Sequence, residues 1–132
     1  VAETKPVEEK VLEVKEEVNF IEFKELEKRD DGLHYKRGDK SPYSGKAYDV
    51  SLSGNKKEEG SFKNGLKDGL WIVYFDGTNT PYQKINYSNG RLSGFFTTYY
   101  SNGNIQSKIL YQNGRILRTN YSFEPRRTEK ST

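Results

Sequence analysis

Apolar and polar residues alternate along the middle of this chain in short runs, each broken by glycine. Ile85 and Tyr87 alternate with Lys84 and Asn86, and Ile105, Ile109 and Tyr111 alternate with Gln106 and Lys108. A period of two predicts half-buried β-strands. A second class of strand is apolar on both sides: Trp71, Val73 and Phe75 alternate with Leu70, Ile72 and Tyr74, and Phe96 and Tyr100 with Phe95 and Tyr99. Such strands sit inside a stack or offer aromatic side chains to a partner. Phe75, Tyr99 and Tyr100 are therefore candidate partner-contact residues.

The turns between these strands repeat. Asn-Gly, the strongest local signal for a two-residue hairpin turn, occurs at Asn64-Gly65, Asn89-Gly90 and Asn113-Gly114, with glycines 25 and 24 residues apart. Tyr87-Ser88-Asn89-Gly90 and Tyr100-Ser101-Asn102-Gly103 share four letters and read as two turns of the same kind. Taking Gly45, Gly69 and Gly94 as openers, the units stack as Gly45 to Val50, Gly69 to Tyr74 and Gly94 to Tyr99. A fixed period with turn residues in phase marks an array in which each unit leans on its neighbours. Gly45, Gly69, Trp71, Tyr74, Gly90, Gly94, Phe96 and Gly114 are the structural repeat positions, with Trp71 a packing residue whose counterparts are Ala47 and Phe96. Phe20 to Phe23, Leu26 to Arg29 and Leu33 to Lys36 read as further strands, with Asp31-Gly32 a turn. The predicted fold is all-β: one elongated, single-layer antiparallel meander of hairpins, continuous from about Asn19 to Tyr121, within a repeat domain spanning residues 19–123.

Charge separates a leader from this body. Residues 1–30 carry ten acids and six bases, and residues 31–132 nine acids and sixteen bases, giving −4 and +7. In the leader and just beyond it, Val7, Val11, Val14, Val18 and Ile21 recur at spacings of four, three, four and three, one stripe of an amphipathic helix. These valines are β-branched, so residues 1–18 read as an acidic tether, helical when docked and disordered otherwise. The stripe is a candidate partner-binding element: it suits a stalk pairing with another protein's helix, the alternative being that the leader lies back on the basic repeat face. A basic tail, residues 124–132, is expected to be mobile. Val1 in place of Met suggests that a preceding segment has been removed.

Composition narrows the class. Only 32% of residues are hydrophobic, mean hydropathy is −0.99, and ten tyrosines supply area to a thin sheet while keeping a hydroxyl in water. Searching for chemistry removes most enzyme classes. The chain has one histidine, His34, and no cysteine, so triads, zinc sites and disulfides have no material. Glu58 and Glu59 are adjacent in a strand and face opposite ways. Gly38 to Lys46 resembles a phosphate loop, but its spacing is too long and Ala47 follows where a hydroxyl residue would hold magnesium. Arg37-Gly38-Asp39 reads as a turn, and the sequons at Asn86 and Asn120 have meaning only in a eukaryotic secretory route. Lysines interleaved with tyrosines read as a solvated face, so nucleic acid is not the expected partner. No catalytic residue, metal site or cofactor is expected.

The segments Gly69-Leu70-Trp71-Ile72-Val73-Tyr74, Asn89-Gly90, and Leu33-His34-Tyr35 through Pro42-Tyr43-Ser44-Gly45-Lys46-Ala47 together resemble the bacterial MORN-variant repeat family, over about residues 26–121. The resemblance implies an interaction scaffold, since members are often antitoxin components or exported proteins. The expected function is a non-enzymatic repeat scaffold for protein–protein interaction, in the cell envelope or exported. A cytoplasmic antitoxin that neutralises a toxin is the alternative, and a glycan or membrane-surface module the third reading.

Overall fold

A computed structural model describes residues 20–120; the leader with Val7, Val11, Val14 and Val18, and the tail over 124–132, lie outside the described residues. The protein is all-β, with no α-helix among the described residues. Three short N-terminal strands, β1 (Phe20–Glu22), β2 (Leu26–Lys28) and β3 (His34–Lys36), precede seven longer ones. These are β4 (Gly45–Val50), β5 (Lys56–Lys63), β6 (Leu66–Tyr74), β7 (Pro81–Ser88), β8 (Arg91–Tyr99), β9 (Ile105–Gln112) and β10 (Arg115–Asn120). From β4 to β10 each strand pairs antiparallel with the next, forming one long meander.

The meander does not begin at Asn19. β1 pairs parallel with β4, and β2 and β3 form a separate two-stranded sheet. A parallel pair needs a crossover between its strands. Here the crossover is the 3-10 turn Phe23–Glu25 followed by the β2–β3 hairpin, which leaves the sheet edge, crosses one face and returns as β4. Its apolar side chains hold it there: Leu26 and Tyr43 are buried in the core, Phe23 lies 5.7 Å from the Trp71 ring and His34 4.8 Å from Phe62. This segment caps one face of β4 to β6.

The Asn-Gly turns follow the sequence. Asn64, Asn89 and Asn113 have φ of 51°, 51° and 50°, and the glycines after them are also positive, as a type I′ turn requires. Each turn is also latched to the preceding unit. The Gly65 N–H donates to the Tyr43 carbonyl at 2.8 Å, Gly90 to Lys67 at 2.9 Å and Gly114 to Leu92 at 2.8 Å. Tyr100-Ser101-Asn102-Gly103 turns differently. Asn102 stays at negative φ, the Gly103 N–H donates to the Tyr100 carbonyl, and the Asn102 Oδ1 accepts from the Asn104 N–H. Three residues link the strands at this point, so one glycine in the left-handed region suffices.

Gly69 and Gly94 do not open strands; they lie inside β6 and β8. Glu59 pairs with Ile72 but Ser61 with Asp68, so three residues of β6 oppose Gly60 alone, and β8 repeats this against Asn86. Positive φ at Gly69 and Gly94, 82° and 109°, makes these bulges possible. A further shift, pairing Thr98 with Ser107 but Tyr99 with Ile105, takes Ile105 out of phase with Ile109.

The core is built on one contact. Trp71 is fully buried, and its ring lies flat over Gly60, where an added Cβ would fall 2.1 Å from Cδ2. The ring's Nε1 donates to the Ser61 carbonyl at 3.0 Å, Phe62 meets it edge-on at 5.3 Å, and the Lys67 ammonium sits 4.6 Å from it. Register then carries an apolar row across the sheet through Ala47, Trp71, Ile85, Phe96 and Ile109.

Replacing Trp71 by Ala is expected to cost about 3 to 5 kcal/mol, read from chemical denaturation. Gly60→Ala should destabilise by at least about 1 to 3 kcal/mol, because the ring has no room to retreat. In the double variant the two losses should fall well short of additive, since the clash disappears with the ring.

Candidate functional site

Strand alternation assigns the side chains to two faces. The capped face carries the Trp71 row; the opposite face has no segment of the described chain over it. Register lines up Tyr48, Glu59, Ile72, Lys84, Thr97 and Lys108 across this open face. Beside them runs a second row, Leu70, Asn86, Phe95 and Leu110, in which the Asn86 Nδ2 donates to the Phe95 carbonyl at 2.9 Å. Leu70 is 48% exposed, Phe95 40% and Phe20, at the β1 edge, 43%. Large apolar side chains exposed on either side of Asn86 on an uncovered face suit an interaction surface.

The sequence pattern produces this row through the bulges. Each bulge glycine is followed by one large residue that turns outward, Leu70 after Gly69 and Phe95 after Gly94, and by one that turns inward, Trp71 and Phe96. On the open face, behind Gly60, lies a hollow of about 390 Å³ lined by Phe20, Lys46, Glu59, Ser61, Leu70 and Ile72.

The electrostatics of the face are uneven. Glu59 is engaged within the sheet: the Lys56 ammonium lies 2.9 Å from Oε1, and the Tyr74 hydroxyl donates to Oε2. Burial pushes the Glu59 carboxyl up, but the bonds from Tyr74 and Lys56 outweigh it and hold it below its ordinary value. Burial and the bond to Glu59 raise the Tyr74 hydroxyl to about 12. Lys46, Lys84 and Lys108, by contrast, have no carboxylate within ion-pair distance among the described residues. Lys108 lies 4.4 Å from the Phe95 ring centre and Lys84 5.7 Å from that of Tyr99. The surface is thus an apolar pair, Leu70 and Phe95, set among lysines, of which Lys46 acts on Glu59.

Of the residues singled out in the sequence, Tyr99 lies on the open face beside Lys84, while Phe75 and Tyr100 lie toward the loops. All three are half-buried. Phe75 packs on Tyr82 with ring centres 4.9 Å apart, Tyr99 lies under Lys84, and Tyr100 closes the β8–β9 turn through its N–H to the Asn104 carbonyl. Of the repeat positions, Gly45 begins β4, Gly69 and Gly94 form the bulges, Gly90 and Gly114 the latched turns, Trp71 and Phe96 the inner row, and Tyr74 the partner of Glu59. Leu70, Phe95, Lys84 and Lys108 were visible as the outward half of the alternation, but only register shows them to be neighbours.

Tyr74 and Glu59 give this face a pH signature. A phenol raised in the folded state contributes stability below its unfolded value near 10, and that contribution is lost as pH rises toward about 12. Tyrosinate absorbance should show a late-titrating group of phenols, Tyr35, Tyr43, Tyr74 and Tyr87, and Tyr74→Phe should diminish it by one and lessen the stability loss over that window. Glu59, lowered in the fold, contributes in the opposite sense, its stability being lost as pH falls through the folded value. No known protein family, curated protein or solved structure matches the chain.

Proposed function

We propose that the protein is a non-enzymatic repeat scaffold, of the kind its MORN-like repeats imply, that docks a protein partner on the open face of its sheet. The observation that carries this reading is the exposed pair Leu70 and Phe95 beside Lys46, Lys84 and Lys108, of which Lys84 and Lys108 have no carboxylate within ion-pair distance among the described residues. An apolar centre with a charged surround is the anatomy of a docking patch, and the sign of the surround selects an acidic partner.

A photoreactive amino acid at position 95, in cells that produce the protein, should give a discrete adduct, while one at Ser107 on the capped face should not. Leu70→Glu with Phe95→Glu should abolish capture by a probe at Ile72 and leave stability within about 0.5 kcal/mol of the parent. Equal capture from both faces, or a loss of stability comparable to that of Trp71→Ala, would overturn the reading.

A further inference from the structure

A second hollow, of about 350 Å³, opens on the capped side, between the β2–β3 hairpin and the inner face of β5 and β6. Strand alternation supplies its lining. Leu26 is buried against the sheet, so Lys28, two residues on, and His34, the cross-strand partner of Lys28, face the sheet as well. From the sheet come Glu58 and Phe62, on the same side of β5 as Gly60, and Lys67, which pairs with Phe62. Phe23 completes the apolar part with Leu26 and Phe62.

The walls are fixed by contacts of their own. A carbonyl only accepts, so the His34 backbone N–H and its ring Nδ1 both donate to the Gly65 carbonyl, at 2.9 and 3.2 Å. The imidazole also lies 4.8 Å from the Phe62 ring, and Gly65 is packed so closely that an added Cβ would fall 2.8 Å from that of Leu33. Opposite, the Lys67 ammonium is held 4.6 and 5.1 Å from the rings of Trp71 and Tyr87 and 3.6 Å from the Glu58 carboxylate. That ion pair answers Glu58. Lys28 is exposed at the mouth and has no carboxylate within ion-pair distance among the described residues. The hollow therefore has an apolar floor, an internally neutral pair and one uncompensated cation.

We propose that this hollow binds a small aromatic carboxylate, with its ring against Phe23, Leu26 and Phe62 and its charge at Lys28. A preformed, mostly apolar concavity with a few placed polar groups is the form of a small-molecule site. Its volume of about 350 Å³ is at the lower end of the usual range and suits a single ring on a short acid. The sign follows from the lining. A cationic ligand would meet Lys28 and would have to draw Glu58 away from Lys67, whereas an anion leaves that pair in place. The site lies across the sheet from the docking surface and does not depend on it.

Trp71, the chain's one tryptophan, packs on two of the lining residues, Phe23 and Phe62, so its emission reports on the hollow. Adding phenylacetate to the full chain should change that emission saturably, and phenylacetamide, the same ring without the charge, should bind several-fold more weakly. Saturation-transfer NMR on each probe reads binding without relying on the indole. Lys28→Glu should weaken phenylacetate several-fold and favour phenethylamine over it, while Lys84→Glu, on the open face, should leave the affinity unchanged. Unchanged emission from each ligand-free variant establishes that its core is intact. No saturable response by either method would overturn the proposal, as would equal affinity for the acid and the amide, or binding undiminished in Lys28→Glu.

Discussion

Everything in this sheet follows from an indole ring resting on a glycine. Trp71 can be fully buried in a protein one sheet thick only because Gly60 has no side chain beneath it and the cap closes over it. The bulge at Gly69 brings Trp71 opposite Gly60, and the Nε1 bond to Ser61 fixes the ring's orientation. Phe23, Phe62 and Tyr87 then pack around its edges. A strand glycine, weak in itself, becomes the seat of the core when an aromatic side chain covers it.

That contact also divides the molecule. The side of the sheet holding the ring needs a lid, which the crossover supplies, and its need for the crossover explains why β1 returns parallel to β4. The other side, over Gly60, is left concave. Asymmetry between faces is thus a product of core construction, and the exposed pair Leu70 and Phe95 is the outward half of the same two strands that send Trp71 and Phe96 inward.

The hairpins were legible in the sequence because Asn-Gly acts locally: two residues with positive φ fix the turn whatever lies around them. Strand parity near Ile85 and Tyr87 was legible for the same reason. What sequence could not supply was nonlocal. The parallel pairing of β1 depends on the cap docking over Trp71, and the phase of Gly69 and Gly94 depends on which residue faces them across the sheet. Tyr100-Ser101-Asn102-Gly103 misled because identical letters were joined by loops of different length. In the candidate site, Tyr99 lies on the open face beneath Lys84, Phe75 and Tyr100 lie half-buried toward the loops, and Leu70 and Phe95 gain their meaning only from register.

The latches from Gly65, Gly90 and Gly114 into the unit before each have a bearing on how the chain acquires its shape. Each hairpin can close its turn fully only when its predecessor already presents the carbonyl of Tyr43, Lys67 or Leu92. Ordering is therefore directional: the capped end, which owns the Trp71 cluster, nucleates, and later hairpins propagate from it like links added to a chain. All these steps join neighbours in sequence, so closure is fast for a β-protein. Along the inner row the sequence runs Trp71, Ile85, Phe96, Ile109 and ends at Thr119. Cohesion fades along the array, and β10 is the strand that opens first in any partial unfolding, giving amide exchange a gradient from one end of the sheet to the other.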